Sequence, residues 1–180
     1  MVEVYKKMLE GLVESKERLI GAATAYSEAT DDFVEVVTNE ESIDDTVPLM
    51  VGMKLGVTLA ALNVLNKQDE YFDADVLSFI DYLIALEDKG IKTEKDAITK
   101  IFIEANLSAS YALMRLEILD ILRQNWLSVT KVFEKEIDSV LKKKKLDEAL
   151  WGLEQGVTAT IKDEIETLDE LFPEKLINSW

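Results

Sequence analysis

The sequence contains neither cysteine nor histidine. Without cysteine the chain has no disulfide framework and no thiolate ligand for zinc or an iron–sulfur cluster. Without histidine it has no imidazole metal ligand, no serine–histidine relay and no histidine general base, so only Asp, Glu, Lys and Tyr remain to move protons. Most familiar enzyme mechanisms are thereby excluded. We expect a protein that is not an enzyme and that binds no cofactor and no metal ion.

Proline and glycine are also scarce. Proline occurs only at Pro48 and Pro173. Between Gly90 and Gly152 the sequence contains neither proline nor glycine. Because both residues interrupt helices, their scarcity favours long helices. Apolar residues recur at intervals of three and four, which predicts an all-α helical bundle that forms a single domain, residues 1–180. The predicted helices span residues 2–38, 46–66, 74–89, 94–142 and 146–172.

The strongest periodic signal lies in the predicted fourth helix. Seven apolar residues recur there at intervals of seven: Ile98, Ala105, Ala112, Leu119, Trp126, Phe133 and Val140. A helix over 94–142 has about 49 residues and a length of roughly 73 Å. A compact domain of this size has a diameter of about 40 Å. The helix therefore bends, near 106–110 or 123–125, or the bundle is elongated and shares its core with another subunit.

We favour elongation, with long antiparallel helices packed as in a coiled coil. The second and third helices together are about as long as the first. The bundle is therefore expected to have four columns, of which one is broken. Long apolar columns that exceed a compact fold also favour a homo-oligomer.

Positive charge is in short supply, because 20 basic residues face 36 acidic ones and the formal net charge is −16. Such a surface disfavours direct contact with nucleic acid or with an anionic membrane. It favours solubility, a basic protein partner, or mimicry of nucleic acid. The N-terminal residues are amphipathic and lack the apolar core of a signal peptide, so we expect a cytoplasmic protein.

One long apolar run, residues 47–65, contains a single charge at Lys54. A lysine near the middle of a membrane span costs about 2.5 to 3.5 kcal/mol on insertion, and both flanks of the run are acidic. Since the rest of the chain is rich in charge, we interpret the run as the central helix of a bundle and not as a membrane span.

Glycines spaced by four occur twice, at Gly52 and Gly56 and at Gly152 and Gly156. Small residues at this spacing let two helices approach closely. We therefore select residues for helix–helix or subunit contact, adding two of the tryptophans: Gly52, Gly56, Gly152, Gly156, Trp126 and Trp151. An alternative interpretation is that the small residues leave room between the helices for a flat or acyl ligand, which would make the protein a carrier of a hydrophobic molecule.

Four carboxylates in the first helix, Glu14, Glu17, Glu28 and Asp31, form an ExxE and an ExxD pattern. The pattern resembles the magnesium-binding motif of the all-α nucleoside triphosphate pyrophosphohydrolases. In that family the two pairs face each other from neighbouring helices. Here both pairs lie on one helix, roughly 16 Å apart, which is too far for one ion. A Mg²⁺-dependent nucleotide hydrolase is the residual enzyme interpretation.

Four consecutive lysines, Lys142–Lys145, are predicted at the end of the fourth helix, just before the fifth begins at Leu146. Cations there would complement the C-terminal dipole of the fourth helix. We interpret the block as a hinge between two antiparallel helices.

These features lead to one functional expectation with two alternatives. We expect a scaffold, adaptor or regulatory subunit that acts through contacts with another protein or with itself. The first alternative is an acidic inhibitor that mimics nucleic acid and binds a basic protein. The second is the hydrophobic carrier described above.

Overall fold

The computed structural model describes residues 2–133 and 135–172, without the side chains of residues 126, 130 and 132. Its helices are α1 (Val2–Thr38), α2 (Thr46–Tyr71), α3 (Ala74–Asp88), α4 (Glu94–Phe133) and α5 (Val140–Leu171). No strand occurs in these ranges. The prediction of an all-α helical bundle is therefore confirmed.

Helices α2 and α3 form one bent column, as the sequence predicted. At the bend the backbone N–H of Phe72 still bonds to the carbonyl of Gln68, which closes α2. The side chain of Asp73 then accepts hydrogen bonds from the N–H groups of Asp75 and Val76, which begins α3 with an N-cap. After α3, Gly90 has a φ of 74°, a left-handed conformation that glycine adopts without strain.

Helix α1 runs antiparallel to the α2–α3 column and to α5. Its ion pairs with α2 join Lys16 to Asp69 and Asp32 to Lys54, so residues farther along α1 meet residues earlier in α2. With 37 residues, α1 is about 55 Å long, which makes the bundle elongated.

Helices α2 and α5 run parallel, which the expectation of antiparallel helices did not foresee. Gly52 faces Ala149 and Gly56 faces Leu153, so both helices advance in the same direction along the contact. The reason is topological: the chain between them first returns through α4, so α2 and α5 are the second and fourth columns of an up-and-down bundle.

The core has two parts along the length of the bundle. The first contains Tyr5, Met8, Phe72 and Ile118 among its fully buried side chains. The second surrounds Phe33 and includes Leu55, Leu146 and Leu153. The two parts lie at different levels of the bundle. Helices α1, α2 and α5 contribute residues to both of them.

The predicted helix over 94–142 is confirmed as far as Phe133, but it does not continue unbroken to residue 142. Helix α4 ends at Phe133, and Val140, the last residue of the predicted column, already begins α5. Ser139 provides the reason, because its side chain accepts a hydrogen bond from the backbone N–H of Lys142 and caps the new helix. The four lysines consequently lie in the first two turns of α5 and not at a hinge. Pro173, predicted to end the last helix, lies outside the described residues.

Helix α2 is, over the described ranges, the one helix that is long and apolar enough to cross a membrane. The core helix of a soluble bundle meets the same test of length and composition. In the structure α2 packs against α1 and α5, and Leu55, Leu59 and Val64 are buried between them. That the chain does not enter a membrane stays a prediction.

Candidate protein-interaction surface on helix α4

The four glycines selected from the sequence all lie at the crossing of α2 and α5. A Cβ atom added at Gly52 would overlap the carbonyl of Ala149, and one at Gly56 would overlap the carbonyl of Leu153. The same holds from the other side, where Gly152 faces Leu49 and Gly156 faces Met53. The backbone of the neighbouring helix fills the space beside each glycine. These positions therefore form a contact within one chain, and they leave no gap for a ligand between α2 and α5.

Of the two tryptophans selected with them, Trp151 does not join this contact. Trp151 lies on α5 beside Gly152, and its side chain is 54% exposed. The side chain of Trp126 lies outside the described residues.

Helix α4 has two apolar faces, and only one of them packs on the bundle. The inner face is buried and consists of Ile103, Leu107, Tyr111, Met114, Ile118 and Leu122. The second face, called here the outer face, consists of Ile98, Phe102, Ala105, Ala109, Ala112, Leu116 and Leu119. Ala105 is half-buried and the other six are exposed, with Phe102 at 68% and Leu116 at 65%. The apolar column that predicted the core of this helix thus belongs largely to its solvent side.

Polar contacts of α4 with α1, α3 and α5 explain why the inner face is the buried one. The hydroxyl of Tyr5 donates a hydrogen bond to the carboxylate of Glu104, and Lys100 pairs with Glu87 on α3. Near the middle of α4, the Tyr111 hydroxyl donates a hydrogen bond to Asp169 on α5. Burial and the bond to Glu104 raise the pKa of Tyr5 well above its usual range. These partners orient α4 about its own axis.

The outer face has no charge. Segment 98–119 contains Lys100, Glu104, Arg115 and Glu117, two charges of each sign. All four pair within the chain, and Glu117 binds Lys67 on α2 at 2.9 Å, which lowers the pKa of that carboxyl. In a chain with a net charge of −16, this segment is locally neutral.

A groove of about 480 Å³ runs between α3 and α4 beside the outer face. It is lined by Val76, Phe79, Thr99, Phe102, Ile103, Asn106, Leu107 and Ser110. A shallower depression of about 450 Å³ lies on the outer face itself, over Ile98, Ala105 and Ala109. The two meet at Phe102. Together they make this side of α4 apolar and uneven in depth.

Sequence reasoning missed Phe102, Ala109 and Leu116 as surface residues. Their signal was present, because the segment is apolar on two sides, and a helix that is apolar all round needs partners on both sides. The carboxylates Glu14, Glu17, Glu28 and Asp31 are exposed along α1. Within the part of the chain that the structure describes, no three acidic residues are grouped so that they could hold a metal ion.

No model of a known protein family matches the chain, and no curated protein and no solved structure matches it either.

Proposed function

We propose that the protein is a helical adaptor whose outer face of α4 binds another protein. The observation that supports this proposal is the exposure of large apolar side chains at regular helical intervals. Ile98, Phe102 and Leu116 are each at least 60% exposed. A stripe from Ile98 to Leu119 is about 32 Å long, and across a helix some 10 Å wide it covers roughly 300 Å². A patch of this size is comparable to the largest apolar patch of a typical soluble monomer, which is often a binding site.

The spacing of the outer face fits a helical partner. Its residues alternate steps of four and three along α4, which is the interval at which two helices pack knobs into holes. The face contains no buried carboxylate or ammonium group that a partner would have to desolvate. Binding would therefore be driven by apolar burial, with little dependence on charge.

The experiment is site-specific photo-crosslinking in the cells in which the chain is naturally made. A photoreactive amino acid at Leu116 is expected to give protein adducts, whereas the same group at Ala23, exposed on α1, gives none. The adducts should disappear when Ile98→Glu and Phe102→Glu are added, while the circular dichroism of the helices is unchanged. If Leu116 gave no more adducts than Ala23, or if the two charges unfolded the chain, the proposal would be wrong.

The groove between α3 and α4 favours a second candidate, a carrier of an apolar small molecule. Its volume of about 480 Å³ lies within the range of small-molecule sites, and its walls are mostly apolar. A fluorescent fatty acid would be the probe. Ser110→Trp, which narrows the groove, is expected to weaken binding at least about tenfold. Ile20→Trp, exposed on α1, should leave binding unchanged. Equal binding by both variants would exclude this site.

A further inference from the structure

We infer that the protein bound by the outer face of α4 is a second copy of the same chain, with the two α4 helices antiparallel and a two-fold axis near Ala109. This inference rests on the proposed function, since it names the partner of that surface. A two-fold axis across a helix requires a face that looks alike when read in either direction. The outer face of α4 meets this requirement.

The sizes of the seven side chains are symmetric about Ala109. On each side of Ala109 the next residue of the face is an alanine, and the two after it are large and apolar. Antiparallel alignment brings together Ala105 with Ala112, Phe102 with Leu116 and Ile98 with Leu119. The three alanines let the helix backbones approach closely at the centre, and the large side chains fill the space toward both ends.

The charges beyond the two ends favour the antiparallel direction over the parallel one. Glu94 and Lys95 are exposed at the start of α4, and Asp120 and Arg123 are exposed after the last large residue. Antiparallel alignment brings Glu94 near Arg123 of the second copy, and Lys95 near Asp120 of the second copy. Parallel alignment in register would place each of these charges beside the identical charge of the second copy, which is repulsive. Antiparallel helices also oppose their dipoles.

The net charge of the chain explains why this face is the suitable one for self-association. Two copies, each at −16, repel each other over most of their surfaces. Segment 98–119 is neutral and its outer face is uncharged, so contact there adds no further repulsion. Raising the salt concentration screens the remaining repulsion and should strengthen the dimer. An acidic mimic of nucleic acid would instead lose its basic partner as salt is raised.

The absence of native cysteine permits a direct test by single-cysteine cross-linking under mild oxidation, with the full chain. Ala109→Cys should form a disulfide between two chains, because the residue lies at the axis. Ala105→Cys alone should not, because its two copies would be roughly 12 Å apart along the helices, beyond the reach of a disulfide. A mixture of Ala105→Cys with Ala112→Cys should form the mixed dimer. Ala23→Cys on α1 is the matched control and should form no disulfide between two chains.

Light scattering of the unmodified chain completes the test. A dimer is expected, and Phe102→Glu with Leu116→Glu should weaken it by more than about 100-fold while the chain stays helical. Cross-linking by Ala105→Cys alone would overturn the antiparallel arrangement. A monomer at all concentrations, with no disulfide from Ala109→Cys, would overturn the dimer. If photo-crosslinking from Leu116 then captured a different protein, the proposed function would stand without this inference, and if it captured none, both would fail.

Discussion

The side-chain nitrogen of Lys145 on α5 donates a hydrogen bond of 2.7 Å to the carbonyl oxygen of Asn39, just after α1 ends. A second bond, of 2.6 Å, reaches the carbonyl of Glu41. Lys145 is 3% exposed, so its side chain is largely removed from water. A cation at a helix C-terminus is favourable because it meets the negative end of the dipole. The lysine block thus does complement a helix C-terminus, but that of α1 and not that of the helix before it.

Replacing Lys145 with methionine should destabilise the fold. The change keeps the apolar stem of the side chain but removes both hydrogen bonds to the carbonyls. Hydrogen bonds to charged groups contribute about 1.5 to 3 kcal/mol each, so we expect a loss of at least about 2 kcal/mol in the free energy of unfolding. Urea unfolding followed by circular dichroism measures it. Lys143→Met, exposed two residues earlier, is the control and should stay within about 0.5 kcal/mol. Equal losses would contradict this role.

A second prediction concerns the crossing of α2 and α5. Gly52→Ala should destabilise the fold by about 3 kcal/mol, because the new methyl group overlaps the backbone carbonyl of Ala149 and the two helices must separate. Gly21→Ala is the matched control. Gly21 is exposed in the middle of α1 with no atom near its missing Cβ, so alanine there should stabilise the helix by about 0.5 to 1 kcal/mol. The midpoint temperature of thermal unfolding measures both effects. If it shifted in the same direction for both variants, the crossing would be looser than described.

Much of the fold could be predicted because local signals agreed with it. The predicted bounds of α1, the starts of α2 and α3, and the end of α3 agree with the structure to within one residue. The break between α4 and α5 was predicted at 143–145 and not directly after Phe133, because the segment contains neither proline nor glycine. Ser139 was its one local signal, and a single serine in a charged stretch does not distinguish an N-cap from an exposed helical position.

The candidate surface was harder to predict for a different reason. Ile98 and Leu119 lie on one side of α4, Leu107 and Ile118 on another, and both sides are apolar at helical intervals. Periodicity identifies a face but not what covers it. The choice depends on contacts with distant parts of the chain, such as the bond from Tyr5 to Glu104, 99 residues apart in sequence.

That bond supports a third prediction. Tyr5 is fully buried and Glu104 is 7% exposed. Tyr5→Phe removes the hydroxyl that donates to the carboxylate, which then retains the longer contact of 3.9 Å with Lys100. We expect a loss of about 1 to 3 kcal/mol in the free energy of unfolding, the usual cost of leaving a buried acceptor without its donor. Tyr82→Phe, 45% exposed, should change stability by less than about 0.5 kcal/mol.

The same tyrosine predicts a dependence on pH. Burial and the neighbouring Glu104 raise the pKa of Tyr5 above its ordinary value of 10.0. Above pH 10 the unfolded chain therefore releases this proton while the folded chain retains it, so stability is lost as pH rises. The slope for one proton is about 1.4 kcal/mol per pH unit. Urea unfolding between pH 9 and pH 11 should show a shallower decline for Tyr5→Phe than for the native chain. Parallel declines would contradict the assigned environment of this hydroxyl.

The last prediction concerns the bend between α2 and α3. Phe72 lies at the bend, fully buried, and its ring stacks on Phe172 at a centroid distance of 4.8 Å, while Phe172 stacks on Tyr111 at 4.9 Å. This stack joins the bend to the end of α5 and to the inner face of α4. Phe72→Ala should cost about 3 to 5 kcal/mol, since it leaves a cavity among three helices. Phe79→Ala, half-exposed on α3, should cost far less, and similar losses for the two variants in urea unfolding would mean that the stack does not join these helices.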